Sequence, residues 1–363
     1  MLYILLILVF IRPFISSLAF TNANFIYSMS LLIFMGLWII FKGTANEKLS
    51  PIRLPLFLFT SLLCVSIVFS GDKLKSLEEF YKYAAALLLF LIVISLAQKD
   101  KLILIRTMLF SGLIISLLAI YQYFFGIRHT LDYMLKNNIT TAFAMDFLQA
   151  KRIFFPFVTP NILGGYLGML LPLSFIYKDK YFFILPLATA ILLTKSIGAL
   201  FSILAGIIVY LCLQKKLDKK RIIFLLLLSM AIGLIFFLRC ANTKEHLQPL
   251  FSLSARMNYW KDALRIIIQY PLSGLGIGNF NLIESRYAHN SYLQLCAEIG
   301  ILGLICFIWL IAKIIMAGFK NEAVYKTAVF AAILIFLIHN LFDFSFFLPE
   351  VSLIWWVALS VFL

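Results

Sequence analysis

An all-α, polytopic membrane protein is what this sequence predicts, and three observations carry the prediction. Of its 363 residues, 63% are hydrophobic and only 13% are charged, against about 45–50% and about 25% in soluble chains. The mean hydropathy is +1.02, and long apolar runs recur from one end of the chain to the other. The strict alternation over about ten residues that marks a membrane β-barrel is absent. These observations exclude a water-soluble protein, a disordered chain and a coiled coil. They predict about 12 transmembrane helices in a single integral-membrane domain, residues 1–363.

In chain order the spans read 2–20, 24–41, 54–70, 80–97, 103–125, 157–177, 181–193, 197–213, 222–238, 291–312, 327–342 and 350–363. The first carries Arg12 and Pro13 in its middle, which predicts a kink or a shallow seat. It lacks a basic leader and so reads as a retained helix rather than a signal peptide. The seventh is short, with Lys195 at its junction with the eighth, and the last is short as well. Two connections break the short-loop rule, 126–156 and a large outer (periplasmic) loop at 239–290. In the second, SLSARMNYWKDALRIIIQYP puts Met257, Trp260, Leu264, Ile267 and Ile268 at helical spacing. Ser254 is available as the cap and Pro271 as the stop, so an amphipathic helix along the membrane face is expected.

The net charge is +15. With the N-terminus in the cytoplasm, short inner loops hold Lys42, Lys48 and Arg53, then Lys99, Lys101 and Arg106, then Lys178 and Lys180. They also hold Lys215, Lys216, Lys219, Lys220 and Arg221, and finally Lys313, Lys320 and Lys326. These 16 cations face five acids, Glu47, Asp100, Asp179, Asp218 and Glu322. That density favours N-in, twelve spans return the C-terminus to the cytoplasm, and both long loops fall outside. The basic balance is then topology and not a nucleic-acid signal. Five scattered cysteines (Cys64, Cys212, Cys240, Cys296, Cys306) form no CxxC pair and read as small core residues.

No P-loop, HExxH or GxSxG is present. The glycines 274, 276 and 278 lack the βαβ setting of a dinucleotide fingerprint and read as a tight turn, bringing backbone against a ligand or a neighbouring helix. In RYAHNSYLQLCAEIGILGL (286–304), Asn290 can cap a span and leave His289 at its outer, water-accessible end. There a neutral imidazole can accept a proton, or simply bond to loop backbone. Glu298 lies about two and a half turns on, on the opposite face, and needs a partner from another helix or the outer loop. His339 and Asp343 stand at i,i+4, as an acid–base or orienting pair or as a helix-end polar bond. The outer cations Arg128, Arg152, Lys195, Arg256, Arg265 and Arg286 run against the orientation rule. Singly each reads as a headgroup contact or solvated charge; several around one cavity would suit a diphosphate.

These residues resemble the bacterial O-antigen ligase and polymerase superfamily of integral-membrane, GT-C-type glycosyltransferases. YQYFFG (121–126) is similar to its Gln-x-x-x-Gly span end, and RIFFPFVTPNILGGYLGMLLPL (152–173) to its Arg…Phe-x-x-Pro-Asn…Pro stretch. SARMNYWKDALRIIIQYPLSGLGIGNF (254–280) resembles its outer-loop pattern, AHNSYLQLCAEIGILGL its His-Asn signature, and HNLFDFSFFLPE its last outer turn. The resemblance implies transfer of a glycan from polyprenyl (undecaprenyl) diphosphate to an acceptor hydroxyl at the outer face of the inner membrane, inverting and without metal or other cofactor. The acceptor is a lipid A-core, a glycan or a protein. On this resemblance His289 is the base or acceptor-orienting residue, and Arg256 holds the diphosphate. Arg152, Lys195, Arg286, Asn161, Asn290, His339 and Asp343 are candidates for binding diphosphate or glycan.

One departure stands out. Where the family often has Thr-x-Ser-Arg-Gly, this chain reads Thr194-Lys195-Ser196-Ile197-Gly198, with Lys195 two places before the Arg position, about 200° away on a helix. Two other readings stay open at this point: a transporter or flippase of lipid-linked glycans, and a non-catalytic relative.

Overall fold

The computed structural model describes residues 1–43, 49–137, 142–241, 248–282, 285–320 and 323–363. Glu47, Lys48 and Glu322 of the orientation count lie outside the described residues. Among these residues the chain is 81% helix, with no strands. Helices α1 (Leu2–Ile11) and α2 (Thr21–Lys42) lead into α3 (Arg53–Val68), α4 (Lys73–Ser95) and α5 (Gln98–Tyr121), α1 packing on α5 and α2 on α4. A π turn at Gln122–Gly126 joins α5 to α6 (Ile127–Lys136), followed by α7 (Ala142–Gln149). Then come α8 (Pro160–Leu170), α9 (Lys180–Thr194), α10 (Ile197–Leu213) and α11 (Lys219–Cys240). The large loop contains α12 (Pro249–Gln269), and α13 (Ser291–Gly318), α14 (Val324–His339) and α15 (Pro349–Phe362) follow.

Each apolar run of the sequence falls on a helix. Five helical segments are long and apolar enough to cross a membrane: Thr21–Lys42, Ser50–Val68, Gln98–Lys136, Lys219–Cys240 and Ser291–Gly318. Six further apolar helices are shorter, at 10–17 residues. The last of these, α15, is the core of the bundle. All fourteen of its residues are buried, and it packs on α4 and α14. Trp355 stacks on Phe336 and Trp356 meets Phe90 edge-on. By contrast α11 buries no residue and lies on the periphery against α10.

Three element ends differ from the sequence reading. The first helix stops at Ile11, because Pro13 removes a backbone donor and Arg12 turns inward. Arg12 is buried against Asn24 Oδ1 (2.8 Å) and Glu350 Oε2 (3.3 Å) at the head of α15, so its charge is compensated. The amphipathic helix α12 begins at Pro249, not at Ser254, because Pro suits the first helical turn. Its inward face is Ala255, Tyr259, Ala263 and Ile266, while Met257, Leu264 and Ile268 point outward. Finally α14 ends at His339, so Asp343 lies beyond the helix.

The most consequential feature is a break in α13. Gly300 has φ +75°, ψ 173° inside an otherwise helical run. Residues 271–278 of the large loop fill the gap. Leu275 N donates to Ala297 O (2.8 Å), Gly276 N to Glu298 O (3.0 Å), and Ile301 N to Pro271 O (2.8 Å). The glycine run is thus a turn against a neighbouring helix. Buried backbone must find such partners where water is excluded. A Cβ on Gly300 would collide with the Leu272 carbonyl, and one on Gly274 with the Glu298 backbone.

Ties at the opposite end link Arg106 to Asp179 (2.8 Å), Gln214 to Thr327 (2.7 Å) and Lys101 to the Ser360 carbonyl (3.1 Å). These ties bring together residues from the short connections around 97–106, 178–180, 214–221 and 323–327 and the end of α15. Gly300→Ala should lower the stability of the purified protein by about 1–3 kcal/mol from backbone strain alone, with the collision adding to it. Gly233→Ala, in open helical surroundings on α11, should be neutral or stabilising by about 1 kcal/mol. Thermal unfolding in detergent checks both.

Candidate functional site

At the long-loop end a cavity of about 530 Å³ opens among the ends of α8, α10, α11, α12 and α14. Three guanidiniums border it, Arg152, Arg239 and Arg256, together with the carboxylates Asp146 and Asp343. Arg152 is placed by its backbone. Gln122 Oε1, at the π turn, accepts from Phe154 N (2.9 Å) and Phe155 N (3.0 Å), which pins the segment just after it. The Nε of Arg152 donates to Thr194 O (2.9 Å) and its Nη2 to Asn161 Oδ1 (3.2 Å). Ser196 Oγ donates to the same Asn161 oxygen (2.9 Å). Burial, and then the neighbouring Arg239 and Arg256, push Arg152 below the ordinary guanidinium range. Arg256 is also lowered by burial, with Asp343 and Tyr259 opposing the shift, and its Nε has no hydrogen-bond partner. Guanidiniums gathered this closely away from water favour an anion between them.

The facing wall carries the histidines. His289 sits one residue before the cap of α13 with φ +51°, a left-handed conformation in which its Cβ crowds the following carbonyl. Tyr259 stacks on its ring at 5.8 Å and Phe344 meets it edge-on at 4.8 Å. Burial and the nearby Arg256 lower its pKa from 6.5 to about 4, with Asp343 opposing. The imidazole is therefore neutral near pH 7, and its Nδ1 has no partner. His339 Nε2 donates to Asp343 Oδ2 (2.8 Å), and Ser345 Oγ donates to the same oxygen (2.8 Å). Burial alone would raise Asp343, but pairing with His339 holds it at about 2. Asp343 Oδ1 and His339 Nδ1 remain without partners. Gly165 of α8 leaves the space the His339 ring occupies. The pair meets across the turn after α14, not along a helical face.

Of the sequence-derived candidates, His289, Arg256, Arg152, Asn161, His339 and Asp343 border this one cavity. Three others do not. Asn290 spends its side chain capping α13, accepting from Tyr292 N (3.0 Å) and Leu293 N (3.1 Å). Lys195 is the left-handed cap of α9, and its Nζ donates to Ala150 O (2.9 Å). Arg286 is half exposed and pairs with Glu79 (3.2 Å). Among the other outer cations, Arg128 is exposed and Arg265 pairs with Asp262 on the surface. The helix breaks at Lys195 and Ser196, between α9 and α10, and Ile197 lines the cavity. Arg239, which lines it too, went unread in the sequence. Its signal was a cation in the last turn of an apolar run. Among the described residues no three His, Cys, Asp or Glu side chains converge as a metal site.

A family model described as O-Antigen ligase matches residues 182–308, about a third of the chain. That stretch holds Arg239, Arg256 and His289. The match supports the O-antigen ligase and polymerase family for this chain and points to a ligase- or polymerase-like function. No curated protein matches the sequence.

The arginine cluster predicts binding of inorganic pyrophosphate, measurable by titration calorimetry in detergent. Arg152→Gln and Arg256→Gln should each weaken it about tenfold or more, the loss expected for a charge-assisted hydrogen bond. Arg265→Gln should leave it unchanged.

Proposed function

We propose that this chain is a glycosyltransferase that moves a glycan from polyprenyl diphosphate, undecaprenyl diphosphate in the usual case, to an acceptor hydroxyl at the outer face of a bacterial inner membrane. The observation that carries this reading is the meeting of three arginines and a neutral histidine in one cavity at the long-loop end of an apolar bundle. The twelve helical apolar runs are taken as spans. On this reading the density of cations in the short loops assigns the short-loop end of the bundle, with both termini, to the cytoplasm and leaves the cavity on the outer side.

In this mechanism an unprotonated ring nitrogen of His289 takes the proton of the acceptor hydroxyl. The acceptor oxygen bonds to the anomeric carbon from the face opposite the phosphate, which inverts it. The bond from that carbon to the phosphate oxygen breaks, and its electron pair leaves with the lipid diphosphate. Arg256, Arg152 and Arg239 stabilise the charge developing there, so no step is assigned to a metal ion. Arg239 supplies the cation that position 197 lacks. Asp343, ionised and held by His339, offers its free Oδ1 to a sugar or acceptor hydroxyl. Ligase, polymerase and protein-glycosylating variants share this chemistry and differ in the acceptor.

A transporter reading draws on the broken helix, since discontinuous spans mark many transporters. Here, however, the break at Gly300 is filled by loop backbone and its carbonyls are consumed, whereas a transport site would leave them facing a cavity.

The test is transfer in proteoliposomes with a polyprenyl-diphosphate glycan pool from the host, EDTA, and acceptor lipid present or omitted. His289→Ala should cut the rate by about 10²-fold or more at matched folding, and Arg256→Ala by a similar factor. Dependence on acceptor lipid indicates a ligase; transfer without it indicates a polymerase. Wild-type rates in His289→Ala would remove His289 as the base. The pH profile is a second check. A base works unprotonated, so activity should stay level from pH 6.5 to about 5 and fall through about 4. Arg256→Gln should move that limb to higher pH by removing a cation, and Asp343→Asn to lower pH by removing an anion.

A further inference from the structure

We infer that Gln294 and Glu298 form a polarity-matched strut that positions His289, joining it to the glycine turn at the end of the α12 loop. Neither residue borders the cavity, and the proposed mechanism uses neither. Both are 2% exposed. Ala288 N donates to Gln294 Oε1 (3.1 Å), Gln294 Nε2 donates to Glu298 Oε1 (3.0 Å), and Gly278 N donates to Glu298 Oε2 (3.1 Å). Both ends of this chain are backbone N–H groups, which can only donate. The order of donors and acceptors between them is therefore dictated: an amide, then a carboxylate accepting on both oxygens.

His289 needs such support. Its φ of +51° is unfavourable for a residue with a Cβ, so the neighbouring backbone must hold it there. On its C-terminal side Ser291 N donates to Asn340 O (2.9 Å), and Ser291 Oγ to Asn340 Oδ1 (2.7 Å). On its N-terminal side the strut grips Ala288, which is fully buried. The far end of the strut grips Gly278, nine residues after the end of the helix that carries Arg256. Glu298 thus ties together the two segments whose spacing decides whether His289 and Arg256 face the same reacting atoms. It acts through them and touches no substrate.

The donor order makes the inference testable. Glu298→Gln offers one oxygen where two are needed, so Gly278 or Ala288 loses its bond, or both keep theirs and the two side-chain NH2 groups are set against each other. Gln294→Glu sets two carboxylates against each other. The reciprocal double variant Gln294→Glu/Glu298→Gln satisfies every group again. Its carboxylate, now at position 294, accepts from Ala288 N and from the side-chain amide now at position 298. The oxygen of that amide accepts from Gly278 N. Two readouts apply in proteoliposomes. Hydrogen exchange at the Gly278 and Ala288 amides should rise about tenfold or more at one of them in Glu298→Gln and return in the double variant, with α14 amides unchanged. The kcat for transfer, which rests on the proposed function, should fall about tenfold or more in either single variant with KM for the lipid donor little changed, and recover in the double variant.

Rescue in the double variant, including rescue of a single variant that does not fold, supports the strut. Three results overturn the inference: a double variant no better than the singles, both amides still protected in Glu298→Gln at wild-type thermal stability, or lost protection with wild-type kcat. If wild type itself transfers nothing, the proposed function fails, while the exchange data still decide the strut.

Discussion

The rest of the structure depends on the pairing between the break in α13 and loop residues 271–276. A helix interrupted inside an apolar bundle exposes carbonyl and N–H groups that lipid cannot satisfy, at several kcal/mol each. A loop folded into the same region has the same deficit. Here each repairs the other, through Leu275, Gly276 and Ile301. Because the loop leaves α12 and returns to α13, this repair ties the chain just after α12 to the middle of α13. Arg256 rides on the first and His289 sits at the mouth of the second. The separation of the candidate base from the candidate anion ligand is thus decided by backbone hydrogen bonding remote from both.

Charge is handled differently in the scaffold and in the cavity. Arg12 is buried, and Glu350, Asn24 and the face of Tyr27 surround it. Glu298 is buried and both its oxygens are met. Around the cavity, polar atoms of Arg256, His289, His339 and Asp343 have no partner. Buried polar groups are rarely left so unless something else supplies the bond. Single atoms of this kind occur elsewhere in the bundle, Arg12 Nε and Tyr166 Oη among them, but four of them from four residues meet around this one cavity. The apolar side of the same cavity, with Phe201, Ile232 and Phe236, gives it a two-faced character, charged on one wall and apolar on the other.

The departure at residues 194–198 illustrates how local conformation decides which side chain reaches the cavity. Measured along a helix, Lys195 would lie on the wrong face to stand in for an arginine at Ile197. The segment is instead the junction of α9 and α10, where Lys195 takes the left-handed cap conformation and spends its ammonium on Ala150. The guanidinium at that wall comes from Arg239, at the end of the peripheral helix α11.

Composition and periodicity by themselves determined the helical class, the apolar runs, the long loop and the residues able to carry charge or a proton, because burial in lipid and helical spacing are local properties of a sequence. They also indicated that Glu298 needed a distant partner and that the glycines made a close turn. Only the tertiary structure decided which partner that was, that α15 lies at the centre although it is short, that α12 turns Tyr259 rather than Met257 inward, and that Arg239 joins Arg152 and Arg256. It also released Lys195, Arg286 and Asn290 from the cavity to other partners. The physical reason is common to all of these. Each depends on contacts between segments far apart in the chain, where the satisfaction of buried backbone and charge overrides local pattern.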